Sequence, residues 1–314
     1  MRIEISALFY LLSVNEPPVR NGLIGDGVYI QELEEGWIQG VRDRCPKVVA
    51  RELLEVRSPY THRLFYEAAT AESSEISLIS PKDQQPLVRA ISLSRIVKPT
   101  SIPYSNIWVK SVYDDSGRVH HFSEPVINAF SVAFGIKKHE WNTITQSDAS
   151  EMANLWGSLS HFLDDNYEPT YRRIVRALKY YELSHAIYFA EMRHPILHAA
   201  LESMVCTGRP HNKAQVTQRL PKLVSFISVQ QAEDIYSVCC DFKHSAQAIL
   251  QKSGSKGVID PSDLRRIDAV NLLHESVRHL LLESLKNRSF ADILVDLGKL
   301  RQTYQAFDSK GRLV

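Results

Sequence analysis

Residues 234–245, Asp234-Ile-Tyr-Ser-Val-Cys-Cys-Asp-Phe-Lys-His-Ser245, are the stretch of this sequence that decides the fold of its second half. Apolar residues recur along the stretch and just beyond it at the three-and-four spacing of an amphipathic helix. One face of such a helix carries Ile235, Cys239, Phe242, Ala246 and Ile249. The other side carries a group of polar residues, Ser237, Asp241 and His244. The pattern therefore predicts a helix with one buried face and one polar face that presents a histidine.

Helical periodicity continues on both sides of this stretch, from residue 147 to residue 307. Asp148 and Glu151 form a helix-start signal. The apolar stripe that follows consists of Met152, Leu155, Trp156, Leu159 and Phe162. We interpret residues 147–307 as an all-helical domain, with a second helix from Thr170 to Met192 and a break or a kink at Pro195. We expect residues 308–314, which are mostly polar, to form a loose tail.

Residues 1–146 have a different pattern, in which short apolar runs are broken by Gly, Pro, Asn and Asp. Runs of this kind predict strands at the N-terminus and at 28–33, 76–79 and 90–97. Residues 107–122 predict a hairpin whose turn spans Asp114 to Gly117, and a short helix is expected over 47–55. The predicted fold class is therefore α+β, with a β-rich N-terminal domain of no recognised family followed by the helical domain.

Composition limits the classes of function. The 314 residues include 37 Lys and Arg against 36 Asp and Glu, so any nucleic-acid site must be a local patch. The four cysteines form no CxxC pair, which favours a reduced, cytoplasmic setting. The apolar N-terminus is too short for a membrane span, and no glycine-rich phosphate loop is followed by the required lysine. We expect no membrane association and no cofactor.

Three strings in the helical half occur in an informative order. They are Arg176-Ala-Leu-Lys-Tyr-Tyr-Glu182, Pro195-Ile-Leu-His-Ala-Ala-Leu-Glu-Ser-Met204, and then Ile235-Tyr236 followed by His244. In this order they resemble the ApeA-like branch of the HEPN superfamily. The resemblance covers roughly residues 170–300 and implies a helical bundle that associates in pairs, because the family builds its cleft from two copies of the helix that carries the motif.

The resemblance implies a role in prokaryotic RNA processing or in antiviral or toxin-type defence, through metal-independent cleavage of RNA. The family motif is an Arg, four to six residues and then a His. Imidazole suits the removal of the 2′-hydroxyl proton, and a guanidinium suits the charge that develops on the phosphate. Here His244 is present, but the three positions open to the Arg are Ser237, Val238 and Cys239.

Two hypotheses about function follow from this departure from the motif. The first is a ribonuclease with a degenerate site, in which His244 is the base, Asp241 holds it and Ser237 lies beside it. Loss of one charge-stabilising donor typically lowers the rate by about 10²–10³. The second is a non-catalytic HEPN-like module that binds a partner protein, a nucleotide or RNA. The absent Arg favours the second hypothesis, and the adjacent Asp241 favours the first.

Candidate RNA-binding residues cluster on the second predicted helix. Four basic side chains lie there opposite the apolar face, namely Arg172, Arg173, Arg176 and Lys179, and Lys243 adds a fifth beside His244. A basic stripe of this kind binds phosphates. The alternative is an ordinary solvated helix face.

Other histidines offer weaker candidates. His120 and His121 are adjacent on a strand and point to opposite faces, so with His139 they do not form a metal site, and we expect none. Arg193 and His198 match the Arg, four residues, His pattern literally, but they precede the helix of the motif and Pro195 lies between them. Packing or capping is the alternative for this pair. Arg278 and His279 have the wrong spacing.

Overall fold

The computed structural model describes residues 2–9, 11, 17–44, 61–68, 81–99, 104–116, 119–125, 143–164, 166, 168–187, 190–208, 210–245 and 261–314. The chain divides into two compact units, an N-terminal unit that ends at Gly157 and a helical unit that begins at Ser158. The predicted boundary, between 146 and 147, lies at the start of the helix that crosses this division.

Within the described ranges, the N-terminal unit contains one antiparallel sheet of six strands in the order β2-β3-β4-β1-β5-β6. The strands are β1 (Arg2–Phe9), β2 (Asn21–Gly25), β3 (Val28–Glu32), β4 (His62–Ala68), β5 (Tyr104–Tyr113) and β6 (Val119–Pro125). β1 is central, because Ile5 faces Tyr66 on one side and Lys110 on the other. The predicted α+β class, the N-terminal strand and the hairpin of β5 and β6 are confirmed.

In the described part of the N-terminal half, three helices accompany the sheet: α1 (Glu35–Arg44), α2 (Pro81–Val97) and α3 (Gln146–Leu163). The strand predicted over 90–97 is wrong, because these residues form the second half of α2. Residues 90–96 are buried without interruption, so the run shows no period, and a short apolar run fits a buried helix as well as a strand. The expected strand at 76–79 and the expected helix at 47–55 lie outside the described residues.

The sheet and its helices are joined by specific contacts. Val41 of α1 packs with Leu8 and Val109 of the sheet in one buried cluster. At the start of α3, Thr145 and Asp148 cap the helix, since the Asp148 carboxylate accepts from the Thr145 backbone N–H at 2.8 Å and Asp148 N donates to the Thr145 hydroxyl at 3.2 Å. The five-residue stripe predicted from Met152 to Phe162 is buried throughout, which confirms the register of α3.

The helical unit consists of the C-terminal part of α3 and seven further helices within the described ranges. They are α4 (Glu168–His185), α5 (Ala190–Val205), α6 (Asn212–Leu223), α7 (Val229–Ser245), α8 (Pro261–Lys286), α9 (Arg288–Val295) and α10 (Leu297–Thr303). α5 lies at the centre of the unit, where it contacts α4, α6, α7, α8 and α9. α7 is the predicted motif helix.

The helix predicted from Thr170 to Met192 is interrupted after His185, and the chain does not break at Pro195. α4 ends at His185, where the N–H groups of Ala186 and Ile187 donate to carbonyls three residues earlier and tighten the last turn. Pro195 lies inside α5. A proline there removes the one bond that its nitrogen would donate to the residue-191 carbonyl, and the remainder of the helix continues.

Residues 304–314, which we call the strap, are hydrogen-bonded, so the expectation of a loose tail over 308–314 is wrong. Phe307 and Leu313 form an antiparallel bridge, and Val314 N donates to the Ala306 carbonyl at 2.9 Å. Polar composition indicated a tail, but the Asp308 carboxylate accepts from Arg312 Nε at 2.8 Å and closes a turn. In the part of the chain that the structure describes, no helix has the length and apolar character needed to cross a membrane.

Candidate functional site

α7 has the two faces that its sequence predicts. Ile235, Cys239 and Phe242 are buried on the inner face. On the outer side Ser237 is exposed and Asp241 is partly exposed. The main chain of His244 belongs to α7, but its side chain lies outside the described residues, as do Ala246 and Ile249. The structure therefore brings Ser237 and Asp241 to one surface, at the end of which His244 follows.

The three positions available to the family's Arg differ in exposure. Cys239 is 1% exposed and Val238 is 4% exposed, whereas Ser237 faces solvent. Burial raises the pKa of the Cys239 thiol to about 11, against a smaller opposing effect of Lys243. Cys239 is thus a protonated core residue at neutral pH and supplies no charge to the polar face.

A guanidinium reaches this face from the neighbouring helix. Arg265 of α8 donates from Nη2 to the Asp234 carboxylate of α7, and its side chain is 59% exposed. This hydrogen bond is the largest cause that lowers the pKa of Asp234 and raises that of Arg265, and the charge of Asp241 adds to the effect on Arg265. Arg265 was not among the site residues predicted from the sequence. Its signal was the position of Arg265-Arg266 in the second turn of α8, four residues after Pro261.

Arg193 and His198, the literal match to the motif, lie inside the bundle. Arg193 is 3% exposed and donates from Nε to the Ile187 carbonyl at 3.0 Å. Burial lowers the pKa of His198 to about 3, and neither of its ring nitrogens has a hydrogen bond. An imidazole that stays neutral and has no access to solvent does not act as a general base for RNA. The packing interpretation of this pair fits its position.

His194 lies one turn before His198 and is also buried. Its Nε2 lies 3.2 Å from the Ile235 carbonyl, which accepts, so the neutral ring carries its lone pair on Nδ1. Burial lowers the pKa of His194 to about 4, with Ile235 opposing and Lys243 assisting the shift. The ring meets Phe242 edge-on at 5.4 Å between centroids. His194 thus packs α5 against α7, beneath the polar face and not on it.

A second histidine pair lies in the interior, between α4 and α8. His274 stacks on Tyr181 at 5.2 Å and meets His185 edge-on at 5.6 Å between ring centroids. Burial lowers the pKa of His274, against the hydrogen bond with Glu275. Four buried imidazoles therefore belong to the core of the helical unit. The sequence does not reveal that these histidines are buried, because a histidine in a helix fits an exposed face equally well.

The basic residues of α4 divide into two groups. Arg172, Arg176 and Lys179 are exposed along one side, at the spacing of a helical stripe. Arg173 turns inward and donates to the carbonyls of Ser203 (2.8 Å), Leu294 (2.7 Å), Met204 and Cys206. Burial lowers its pKa to about 10, so it remains a cation. Arg173 thus holds the end of α5, whereas Arg172, Arg176 and Lys179 are exposed to solvent.

In the described part of the chain, no three His, Cys, Asp or Glu side chains lie close enough together to hold a metal ion. The side chains of His120 and His121 and all of His139 lie outside the described residues. Comparison with known proteins adds no relative: no family model, no curated protein and no solved structure matches this chain.

Proposed function

We propose that the helical unit is a HEPN-like module that binds RNA and cleaves it without a metal. The observation that carries the proposal is the guanidinium of Arg265 on the polar face of α7. It supplies from α8 the charge that the motif lacks within α7 itself. Ser237 and Asp241 lie on the same face, and His244 follows at its end.

The residues have separate roles in this proposal. His244 removes the proton from the 2′-hydroxyl as that oxygen attacks the adjacent phosphorus, which forms a 2′,3′-cyclic phosphate and breaks the bond to the 5′-oxygen. The departing 5′-oxygen takes up a proton from water. Arg265 donates to the phosphate oxygens, on which charge develops as the 5′-oxygen leaves. Asp241 orients the imidazole. Lys243 binds phosphates along the RNA strand, together with Arg172, Arg176 and Lys179.

A pair of copies would complete the cleft. Each of the two helices that form the polar face carries an exposed apolar side chain, Val229 at the start of α7 (56% exposed) and Leu264 before Arg265 on α8 (47% exposed). Association of two copies would cover these side chains. We propose a homodimer through this face, in a cytoplasmic protein of prokaryotic RNA processing or defence. Light scattering over a wide concentration range tests the dimer.

A non-catalytic binding module is the second candidate, and two observations favour it. Cys239 occupies a motif position inside the core. In addition, the Asp234 carboxylate neutralises Arg265, so a phosphate must compete with it. In this case the same face would bind RNA, a nucleotide or a partner protein without cutting.

Cleavage of single-stranded RNA in the presence of a metal chelator tests the proposal. The wild type should cut, and His244→Ala and Arg265→Ala should lower the rate by at least about 10². Lys213→Ala, which removes an exposed cation of α6, serves as the matched control and should keep full activity. Intact RNA with the wild type, or equal cleavage by His244→Ala, would rule out the nuclease and leave the binding module.

A further inference from the structure

α4 carries a row of cations on its exposed side. Arg172, Arg176 and Lys179, which we call the basic stripe, follow one another at intervals of four and three residues. They therefore lie on one side of the helix and span about 10 Å along its axis. Arg173 does not belong to the row, because it turns inward to the Ser203 carbonyl. The basic stripe thus presents three positive charges to solvent in a line.

The basic stripe and the polar face of α7 lie on opposite sides of the helical unit. α4 and α7 each contact both α5 and α8, which also contact each other, whereas no substantial contact joins α4 to α7 within the described ranges. Helices with these contacts form a rhombus in cross-section, with α4 and α7 at the ends of its long diagonal. Tyr181 of α4 stacks on His274 of α8, and Phe242 of α7 meets His194 of α5. The inner sides of α4 and α7 therefore face the pair of α5 and α8, and their exposed sides point in opposite directions.

The distance between the two surfaces follows from helix packing. Neighbouring helix axes are about 8–10 Å apart, so the long diagonal of the rhombus is about 16 Å. Side chains add about 5 Å at each end, which separates the basic stripe from the polar face of α7 by about 26 Å. At a rise of about 3.4 Å per nucleotide, a four-nucleotide strand covers about 14 Å and a 20-nucleotide strand about 68 Å. Of these two strands, the longer one alone reaches both surfaces.

The two surfaces carry the same kind of charge. Arg265 and Lys243 are exposed at the polar face of α7, as the three cations of the basic stripe are on α4. A folded acidic protein covers one face of a helical unit of this size. A flexible polyanion bends around the unit and contacts both faces at once, and its phosphate oxygens match guanidinium donors. Single-stranded RNA of sufficient length is therefore the ligand that fits the arrangement.

We propose that the basic stripe is a second RNA anchor, separate from the site on α7, and that the protein selects RNA long enough to reach both. This inference rests on the proposed function in taking RNA as the ligand, but it concerns binding and not cleavage. Binding of a strand at one anchor raises its effective concentration at the other to the order of millimolar. Long RNA should therefore bind about 10² times more tightly than short RNA, or better.

The test compares 2′-O-methyl oligouridylates of four and 20 nucleotides, which lack the hydroxyl that cleavage requires. Fluorescence anisotropy gives the length advantage, which is the ratio of their dissociation constants. One full-length variant, the stripe variant, combines three exposed substitutions, Arg172→Gln, Arg176→Gln and Lys179→Gln. A second variant removes the cations of the other anchor, Arg265→Ala and Lys243→Ala. Because all five side chains are exposed, both variants should fold like the wild type, which thermal melting checks.

A matched control separates the basic stripe from net charge. It removes three exposed cations from α6 and α10, by Lys213→Gln, Lys299→Gln and Arg301→Gln. The control should keep the length advantage of the wild type. In the stripe variant and in the second variant the advantage should fall to about tenfold, because a long strand still offers more positions to one anchor.

The outcomes separate this inference from the proposed function. A stripe variant that keeps the length advantage overturns the second anchor, whether or not the wild type cuts RNA. The same holds if the second variant keeps the advantage, because the strand would then be held on α4 alone. Loss of the advantage in both variants supports two anchors. If the wild type then leaves cleavable RNA intact in the presence of a chelator, that result overturns the nuclease and not the anchors.

Discussion

Arg265 of α8 donates a hydrogen bond to the Asp234 carboxylate of α7, and this ion pair places a cation on the polar face of the motif helix. Asp234 has a second partner, Gln230, whose amide donates to it at 3.0 Å. Gln230, on the same helix, therefore fixes the Asp234 carboxylate, and this carboxylate in turn fixes the Arg265 guanidinium. Any anion that binds to Arg265 has to compete with Asp234.

Asp234→Asn should strengthen binding of single-stranded RNA, because it removes a negative charge and releases Arg265 from its ion pair. Arg265→Ala should weaken binding and lower the slope of log affinity against log salt by about 1. Fluorescence anisotropy at several salt concentrations measures both. Asp268→Asn, which removes one negative charge from an exposed position of α8, is the control for the effect of net charge alone. Equal effects of Asp234→Asn and Asp268→Asn would contradict a specific role for the pair.

Ser237→Arg and Cys239→Arg should differ sharply, although each places an Arg four to six residues before His244, the spacing of the motif that this sequence resembles. Ser237 is exposed, so its replacement should alter the free energy of unfolding by no more than about 0.5 kcal/mol. Cys239 is buried, and an unpaired guanidinium there should destabilise the unit by several kcal/mol. Urea unfolding measures the difference. We expect increased RNA cleavage from Ser237→Arg alone, and a stable Cys239→Arg protein would show that the core position is misassigned.

Two adjacent basic residues of α4 should differ in what they contribute, one to stability and the other to RNA binding. Arg173→Ala should lower the free energy of unfolding by about 1.5–3 kcal/mol, because charged hydrogen bonds to buried carbonyls are lost. Arg172→Ala should leave stability almost unchanged and weaken RNA binding. Thermal melting and anisotropy on the two adjacent variants make the comparison. A stable Arg173→Ala protein with weak RNA binding would reverse these assignments.

Acid should destabilise the helical unit through its buried histidines. The pKa values of His194 and His198 are about 4 and about 3 when folded, below the ordinary value of 6.5. The unfolded chain therefore binds more protons between pH 6.5 and about 4, and stability falls as the pH falls through this window. Each histidine contributes about 1.4 kcal/mol per pH unit there.

Urea unfolding at pH 6.5, 5.5 and 4.5 measures this effect. His198→Leu should reduce the pH slope by one proton. The control is His211→Asn at an exposed residue with a positive φ of 84°, a conformation that Asn tolerates, and it should leave the slope unchanged. A slope that does not differ between wild type and His198→Leu would mean that His198 is hydrated and titrates normally.

Gly25→Ala should destabilise the N-terminal unit. A Cβ at Gly25 would lie 2.2 Å from Cγ of Trp156, whose indole nitrogen is itself fixed by a bond to Asp26 at 2.7 Å. The cost of such overpacking is about 1–3 kcal/mol or more. Gly157→Ala, with no atom within 4 Å of the added Cβ, should instead stabilise α3 by up to about 1 kcal/mol. Thermal melting of both variants tests the contrast.

The elements predicted correctly from the sequence are those whose apolar spacing or turn residues match the structure that they form. The stripe of α3 and the hairpin of β5 and β6 are of this kind. The helix at 81–97 was missed because a run buried on all sides loses its period. Asp26-Gly27 carried a turn signal, and both residues have positive φ in the turn between β2 and β3. The strand predicted at 28–33 corresponds to β3, but β2, with five residues, is too short to show alternation, so this hairpin was not predicted.

The candidate site was only partly predictable for a different reason. The two faces of α7 follow from spacing within one helix, so the burial of Cys239 and the exposure of Ser237 were accessible from the sequence. The contribution of Arg265 depends on the packing of α8 against α7, which the spacing within one helix does not reveal. Likewise, four basic residues on α4 look alike in sequence, and only the carbonyls at the end of α5 distinguish Arg173.

The contacts of Arg173 bear on how the helical unit opens. One side chain of α4 bonds to Ser203 and Met204 at the end of α5 and to Leu294 in α9. None of these three helices can separate from the others without breaking a charged bond to a shared cation. Their amides should therefore exchange with solvent deuterium as one cooperative block, and their protection factors should rise and fall together.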